Sequence, residues 1–298
     1  MCGIVGLFLK NKSLEPRLGS MLAGMLAVMS DRGPDSAGFA VYGAGDDEHI
    51  KLTLRSKTGS ALDDVAGQLS QEFGAALPAS LRASHLVLTL PRAVEAPARA
   101  WLGLHRPDIA VVGAGTRMEL YKEVGLPTEV VKRFSLADMG GTHGIGHTRM
   151  ATESAVTTDG AHPFSTGPDQ CLVHNGSLSN HNSVRRTLAH DGLKFETEND
   201  SEVAAAYLTW RLRQGASIES ALDASLKDLD GFYTFVVGTE SGFAVLRDPI
   251  ACKPAVMAET DDYVAFGSEY RVLVDLPNIA CARVFEPEPA KVYAWKHT

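Results

Sequence analysis

Residues 1–9 read Met1-Cys2-Gly3-Ile4-Val5-Gly6-Leu7-Phe8-Leu9, and the apolar run that begins at Gly3 ends at the charged, turn-like Lys10-Asn11-Lys12. A short apolar run bounded in this way predicts a buried strand. The period then changes. Leu18, Met21, Leu22, Met25, Leu26 and Met29 recur at helical spacing until Asp31-Arg32-Gly33-Pro34 breaks the pattern, so a helix is expected with its methionines in the core. Residues 37–42 return to a short apolar run and predict a second buried strand.

Further strands are expected at 85–90, 144–149, 171–174, 232–238, 243–246, 254–258 and 263–266. Helices are expected at 201–214, stopped by Gly215, and at 218–229, with Ser217 as N-cap. Many strands with few intervening helices favour antiparallel pairing. The expected fold class is α+β, with two stacked sheets and helices on their outer faces rather than a doubly wound parallel sheet. The segment at about 46–140 is less regular and reads as an insertion or subdomain. Within it, Gly113-Ala-Gly-Thr-Arg117 lacks the third glycine of a dinucleotide fingerprint and reads as a turn.

The 298 residues, 45% of them hydrophobic, can fill a sizeable core. A formal net charge of −8 argues against a nucleic-acid partner, which would call for a basic surface. No apolar run reaches the roughly 18 to 20 residues of a membrane helix, and the start lacks a secretory pattern, so no membrane partner and a cytoplasmic location are expected. Cys2, Cys171, Cys252 and Cys281 form no CxxC pair, which leaves no expectation of a zinc site, an iron–sulfur ligand set or a disulfide framework. The last three read as quiet, buried thiols.

Cys2 differs by position. A small residue after the initiator methionine permits trimming, which would expose Cys2 as the first residue. A thiol ordinarily titrates at about 8.5 and an α-amine at about 8, so a terminal cysteine carries its own general base and needs no histidine partner. Alone, a cysteine at position 2 is a weak signal. It is joined, in order, by Arg32-Gly-Pro-Asp-Ser-Ala-Gly38, Gly146-His-Thr-Arg-Met-Ala-Thr152, His174-Asn-Gly176 and Asn199-Asp-Ser-Glu202.

Together with Met1-Cys-Gly-Ile-Val-Gly6, these motifs resemble the class II glutamine amidotransferases, the family of the glutaminase domains of amidophosphoribosyltransferase, glucosamine-6-phosphate synthase, asparagine synthetase and glutamate synthase. Arg247-Asp-Pro-Ile-Ala-Cys-Lys-Pro254 and Gly267-Ser-Glu269 look like the family's closing strands. The resemblance implies the four-layer αββα sandwich of the N-terminal-nucleophile hydrolases, carrying the 46–140 insertion. It also implies that Cys2 attacks the glutamine γ-carbonyl to give a γ-glutamyl thioester and ammonia, and that water then releases glutamate.

By the same resemblance, Asn175 and the backbone N–H of Gly176 form the oxyanion hole. Arg149 would hold the substrate α-carboxylate through its planar pair of donors, Thr152 would support it, and Asp200 would take the substrate ammonium. Arg32 and Gly33 match a loop that covers the nucleophile, with Gly33 permitting close backbone approach and Arg32 available to favour thiolate. Read without the resemblance, Asn175-Gly176 is a tight turn, Arg149 a surface ion-pair partner, Asp200 a helix cap and Arg32-Gly33 a turn. His147, His162 and His174 read as structural. Met150 stands where related enzymes often have an aromatic residue.

The motifs reach almost to Thr298, so the ammonia acceptor is expected on a separate synthase subunit, as in split glutamate synthase-like and N-methylglutamate synthase systems. No cofactor is expected in this chain, and flavin or iron–sulfur groups would belong to that partner. Two other readings are an independent N-terminal-nucleophile amidase for another amide and a non-catalytic regulatory subunit that kept the fold.

Overall fold

The computed structural model describes residues 2–151 and 155–297. Strand β1 (Gly3–Leu9) is buried along its whole length because its two faces meet different cores. Ile4 and Phe8 turn toward one, and Val5, Leu7 and Leu9 toward the other, the alternation that the pleat imposes. β1 lies inside a seven-stranded sheet with β2 (Ser36–Tyr42), β7 (Met118–Val124), β8 (His143–Arg149), β13 (Val256–Glu259), β14 (Tyr263–Gly267) and β15 (Arg283–Phe285), in the order β15-β13-β14-β1-β8-β2-β7.

The second sheet has five strands, β9 (Phe164–Gly167), β10 (Gln170–Leu178), β11 (Gly231–Thr239), β12 (Gly242–Arg247) and β16 (Tyr293–Lys296), in the order β16-β12-β11-β10-β9. The pairings in both sheets are antiparallel. The sheets face each other through Ile4, Phe8, Ala40 and Ile145 on one side and Val173, Val236, Phe243 and Val245 on the other. Helices α1 (Leu18–Val28) and α4 (Pro127–Arg133) cover the outside of the first sheet, where Met21, Met25 and Met29 lie in the core as expected. Helices α5 (His181–His190), α6 (Asp200–Arg213) and α7 (Ile218–Asp228) cover the second. Ser217 caps α7 by accepting from the Ser220 N–H. The result is the four-layer α+β sandwich expected from the sequence.

The segment 46–140 divides. Strands β3 (His49–Ser56), β4 (Ala79–Arg82), β5 (His85–Pro91) and β6 (Ile109–Gly115) form a separate four-stranded sheet, β4-β5-β3-β6. With α2 (Val65–Phe73) and α3 (Glu95–His105) it encloses its own core of Leu52, Leu54, Leu69, Leu88 and Leu102. The chain after it returns to the main body, where β7 pairs with β2 and α4 packs on the large sheet. Gly113 and Gly115, read as part of a turn, end strand β6, and the chain reverses at Thr116 and Arg117.

Two local expectations are corrected. Cys171 is buried, but Cys252 and Cys281 are exposed, because their apolar sequence neighbours lie in loop and 3-10 segments at the surface rather than in sheet interiors. The strand expected at 171–174 runs on to Leu178, and Asn175-Gly176 lies inside it rather than in a turn.

Candidate active site

Gly3 pairs with Thr148 at the end of the β1–β8 ladder, so Cys2 emerges beside Arg149, the last residue of β8. Ile4, two residues on, is locked from the opposite side: its N–H donates to the Ser268 hydroxyl at 2.9 Å, and its carbonyl accepts from the Ser268 N–H at 3.0 Å. Cys2 itself is half-buried, with Sγ 4.0 Å from the Met150 carbonyl.

Two side chains from distant segments converge on the backbone carbonyl of Cys2. Arg32 Nε donates to it at 2.9 Å and Asn175 Nδ2 at 3.3 Å. Arg32 also pairs through Nη1 with Glu269, which is held in turn by Arg271 Nε at 2.6 Å. Burial alone would raise the Glu269 carboxyl, but the hydrogen bond from Arg32 and the charges of Arg271 and Arg32 hold it below the ordinary range. Arg32 is therefore a strut between the Cys2 backbone and Glu269. Glu269 was not singled out by sequence; its one signal was its place in Gly267-Ser-Glu269.

Gly33 lies against the end of β8, where a Cβ would fall 2.5 Å from the Thr148 carbonyl carbon and 2.6 Å from the Arg149 nitrogen. Only glycine fits without moving that backbone. The loop is tied down again at Asp35, whose N–H donates to the Arg149 carbonyl at 3.0 Å and whose carboxylate accepts from the Ala151 N–H at 2.7 Å. Arg149 is 8% exposed and donates through Nη1 to the Gly160 carbonyl at 3.0 Å. Thr152, the expected supporting contact, and Met1 lie outside the described residues.

On the second sheet, β9 pairs with β10 only as far as Leu172, which leaves the following stretch of that β10 edge without a strand partner among the described residues. The His174 carbonyl accepts from His147 Nε2 at 3.1 Å, and the Leu178 N–H donates to Asp200 Oδ2 at 2.9 Å. Strand periodicity puts the N–H of Gly176 on the same edge as these two groups. Gly176 has φ +153°, and a Cβ there would meet the Phe232 carbonyl at 2.0 Å, so no other residue fits.

Asp200 opens α6, while Asn199 is the cap, accepting from the Ser201 N–H at 2.9 Å. The Asp200 carboxylate thus joins the helix start to the end of β10, close to the Asn175-Gly176 pair. Three buried imidazoles meet behind it. His162 Nε2 and His174 Nδ1 each lie 2.8 Å from the Ser201 hydroxyl, and the His147 and His162 rings stack at 4.0 Å. Burial lowers all three, His147 to about 3, so at neutral pH they are uncharged hydrogen-bonding posts. Their structural reading agrees with this, and Ser201, which links two of them, went unnoticed in Asn199-Asp-Ser-Glu202. Among the described residues no group of His, Cys, Asp and Glu could hold a metal ion.

Residues 147–275 match a family model described as a glutamine amidotransferase domain. The chain is 60% identical over 298 residues to the glutamine amidotransferase-like protein GlxB of Rhizobium meliloti strain 1021, covering 100% of this chain and 99% of that protein. It is 31% identical over 165 residues to an amidophosphoribosyltransferase of Methanocaldococcus jannaschii, covering 54% of this chain and 35% of that one. Among solved structures, the glutamine phosphoribosylpyrophosphate amidotransferase of B. subtilis superimposes with a TM-score of 0.63 at 19% identity, over 99% of this chain and 47% of that one. At that identity the likeness speaks for the fold.

Proposed function

From the premise that this chain belongs to the class II glutamine amidotransferase family, we propose that it hydrolyses the side-chain amide of glutamine with Cys2 as nucleophile. The observation that supports this reading is the convergence of Arg32 and Asn175 on the Cys2 carbonyl, which holds the backbone of the proposed nucleophile in place. Once Met1 is removed, the freed α-amine of Cys2 takes the thiol proton as sulfur adds to the γ-carbonyl carbon. The carbonyl π electrons move to oxygen, giving a tetrahedral oxyanion.

Asn175 has two amide protons. One is directed at the Cys2 carbonyl, which sets the amide plane, and the other serves the oxyanion together with the Gly176 N–H. The intermediate collapses as the C–N bond breaks, the α-ammonium protonates the leaving nitrogen, and a γ-glutamyl thioester remains. Water, deprotonated by the same amine, adds to the thioester and expels Cys2, releasing glutamate. Arg149 pairs with the substrate α-carboxylate, Thr152 supports that contact, and Asp200 pairs with the substrate ammonium. Ammonia passes to a separate synthase subunit of the glutamate synthase-like or N-methylglutamate synthase-like kind, and any flavin or iron–sulfur group belongs to that subunit.

Intact-mass spectrometry before and after exposure to 6-diazo-5-oxo-L-norleucine, a reactive glutamine mimic, tests the nucleophile. A mature chain lacking Met1 that gains one adduct, with none on Cys2→Ala, is the expected result. Retention of Met1, or an unmodified chain even with a synthase partner present, would move the assignment to a non-catalytic subunit.

A further inference from the structure

Three consecutive backbone carbonyls, those of Asp159, Gly160 and Ala161, are all taken up by two buried basic side chains. Lys122 Nζ donates to Asp159 O at 3.1 Å and to Ala161 O at 2.9 Å, while Arg149 Nη1 donates to Gly160 O between them at 3.0 Å. The packing at the middle position is tight: a Cβ on Gly160 would fall 2.9 Å from Arg149 Nη1. Arg55 pairs with the Asp159 carboxylate from the other side, and Glu123 accepts from the Thr158 hydroxyl. Lys122 and Arg55 are 5% and 7% exposed.

Burying an ammonium is unfavourable unless fixed partners replace its water. Burial accordingly drives Lys122 down to about 8, against the opposing pull of Asp159. Its partners are two carbonyls that flank the one gripping Arg149. Lys122 comes from β7 and Arg55 from β3 of the separate four-stranded sheet, and neither belongs to the motifs around Cys2. A guanidinium recognises a carboxylate only when its plane is set in advance, because the paired donors lose their advantage if they must be reoriented on binding.

We infer that Lys122 and Arg55 are positioning residues for the glutamine site: they hold the segment 159–161 as a rack whose central carbonyl sets the Arg149 guanidinium for the substrate α-carboxylate. The inference rests on the glutaminase reading of Cys2 and Arg149. It gives the four-stranded sheet a part in substrate selection.

The test is steady-state hydrolysis of L-glutamine and of its α-amide, L-glutaminamide, by the mature wild type and by Lys122→Met, Asp159→Asn and Arg149→Ala, followed by each of the first two substitutions in the Arg149→Ala background. Asp159→Asn alters a half-exposed carboxylate and tests the rack even if Lys122→Met does not fold. Lys122→Met and Asp159→Asn are expected to raise KM for glutamine by about 10-fold with kcat changed by less than about 3-fold, and to lower the preference for glutamine over the α-amide by a similar factor. In the Arg149→Ala background the same changes should add nothing. An unchanged preference, or effects that multiply with Arg149→Ala, overturns the rack while leaving the glutaminase reading intact. A wild type that hydrolyses neither substrate overturns both.

Discussion

Asn175 is held by contacts with residues far away in sequence, and the Cys2 carbonyl has two donors, Arg32 and Asn175. Removing one leaves the other, so Asn175→Ala should cost only about 1 kcal/mol of stability, while the lost oxyanion donor should lower kcat by about 10²–10³. Asn175→Asp should be at least as slow, since a carboxylate would oppose both the Cys2 carbonyl and the developing oxyanion. Glutamate release and urea unfolding measured on the same preparations separate these effects, and a kcat within a few-fold of wild type would remove Asn175 from the oxyanion hole. The sequence named Cys2, Arg149, Asn175 and Asp200, because family motifs are local strings. It missed Glu269 and Ser201, whose partners Arg32, His162 and His174 lie in distant segments of the chain.

At the level of elements, β8 and β10 each continue through residues that read as polar or as turn-forming. β8 buries His143, His147, Thr148 and Arg149, and β10 buries His174 and Asn175. The cost is visible in the imidazoles. Burial lowers His85, His143 and His147 to about 3, against about 6.5 for an unfolded histidine. Below about pH 6.5 the unfolded chain therefore takes up protons that the folded chain refuses. The contribution to stability is complete above that pH and declines toward pH 3, by up to about 1.4 kcal/mol per pH unit for each such histidine. The melting temperature should drop between pH 6.5 and 5, before most carboxylates titrate, and His147→Gln should make the drop shallower. A flat profile across that window would contradict neutral burial. Local periodicity could not announce these burials, because the polar residues are satisfied by partners such as the Thr239 carbonyl for His143 and the His174 carbonyl for His147.

Across the whole molecule, the turn that leads from β6 of the four-stranded sheet into β7 of the sandwich is fastened by Asp169, in the turn between β9 and β10. Its carboxylate accepts from the Thr116 N–H at 2.7 Å, the Thr116 hydroxyl at 2.8 Å, the Arg117 N–H at 2.9 Å and the Met118 N–H at 3.0 Å. These are charge-assisted bonds at a site 5% exposed, so Asp169→Ala, which strands the buried donors, should cost about 3 kcal/mol or more in urea unfolding. A loss under about 1 kcal/mol would mean the fastening lies elsewhere. The many short apolar runs with few helices between them, and the methionine stripe of α1, were enough to call for stacked sheets under helices, since a buried strand shows as a short apolar run and a buried helix face as a repeat of 3.6 residues that any short window displays. The ordered motifs likewise named the proposed nucleophile and the residues proposed to act with it. The division of 46–140 into a separate sheet and a returning edge strand, the Arg32–Glu269 strut and the rack under Arg149 were decided by tertiary structure alone. They join residues that only sheet register and packing bring together, and a contact between distant segments leaves no periodic trace in either of them.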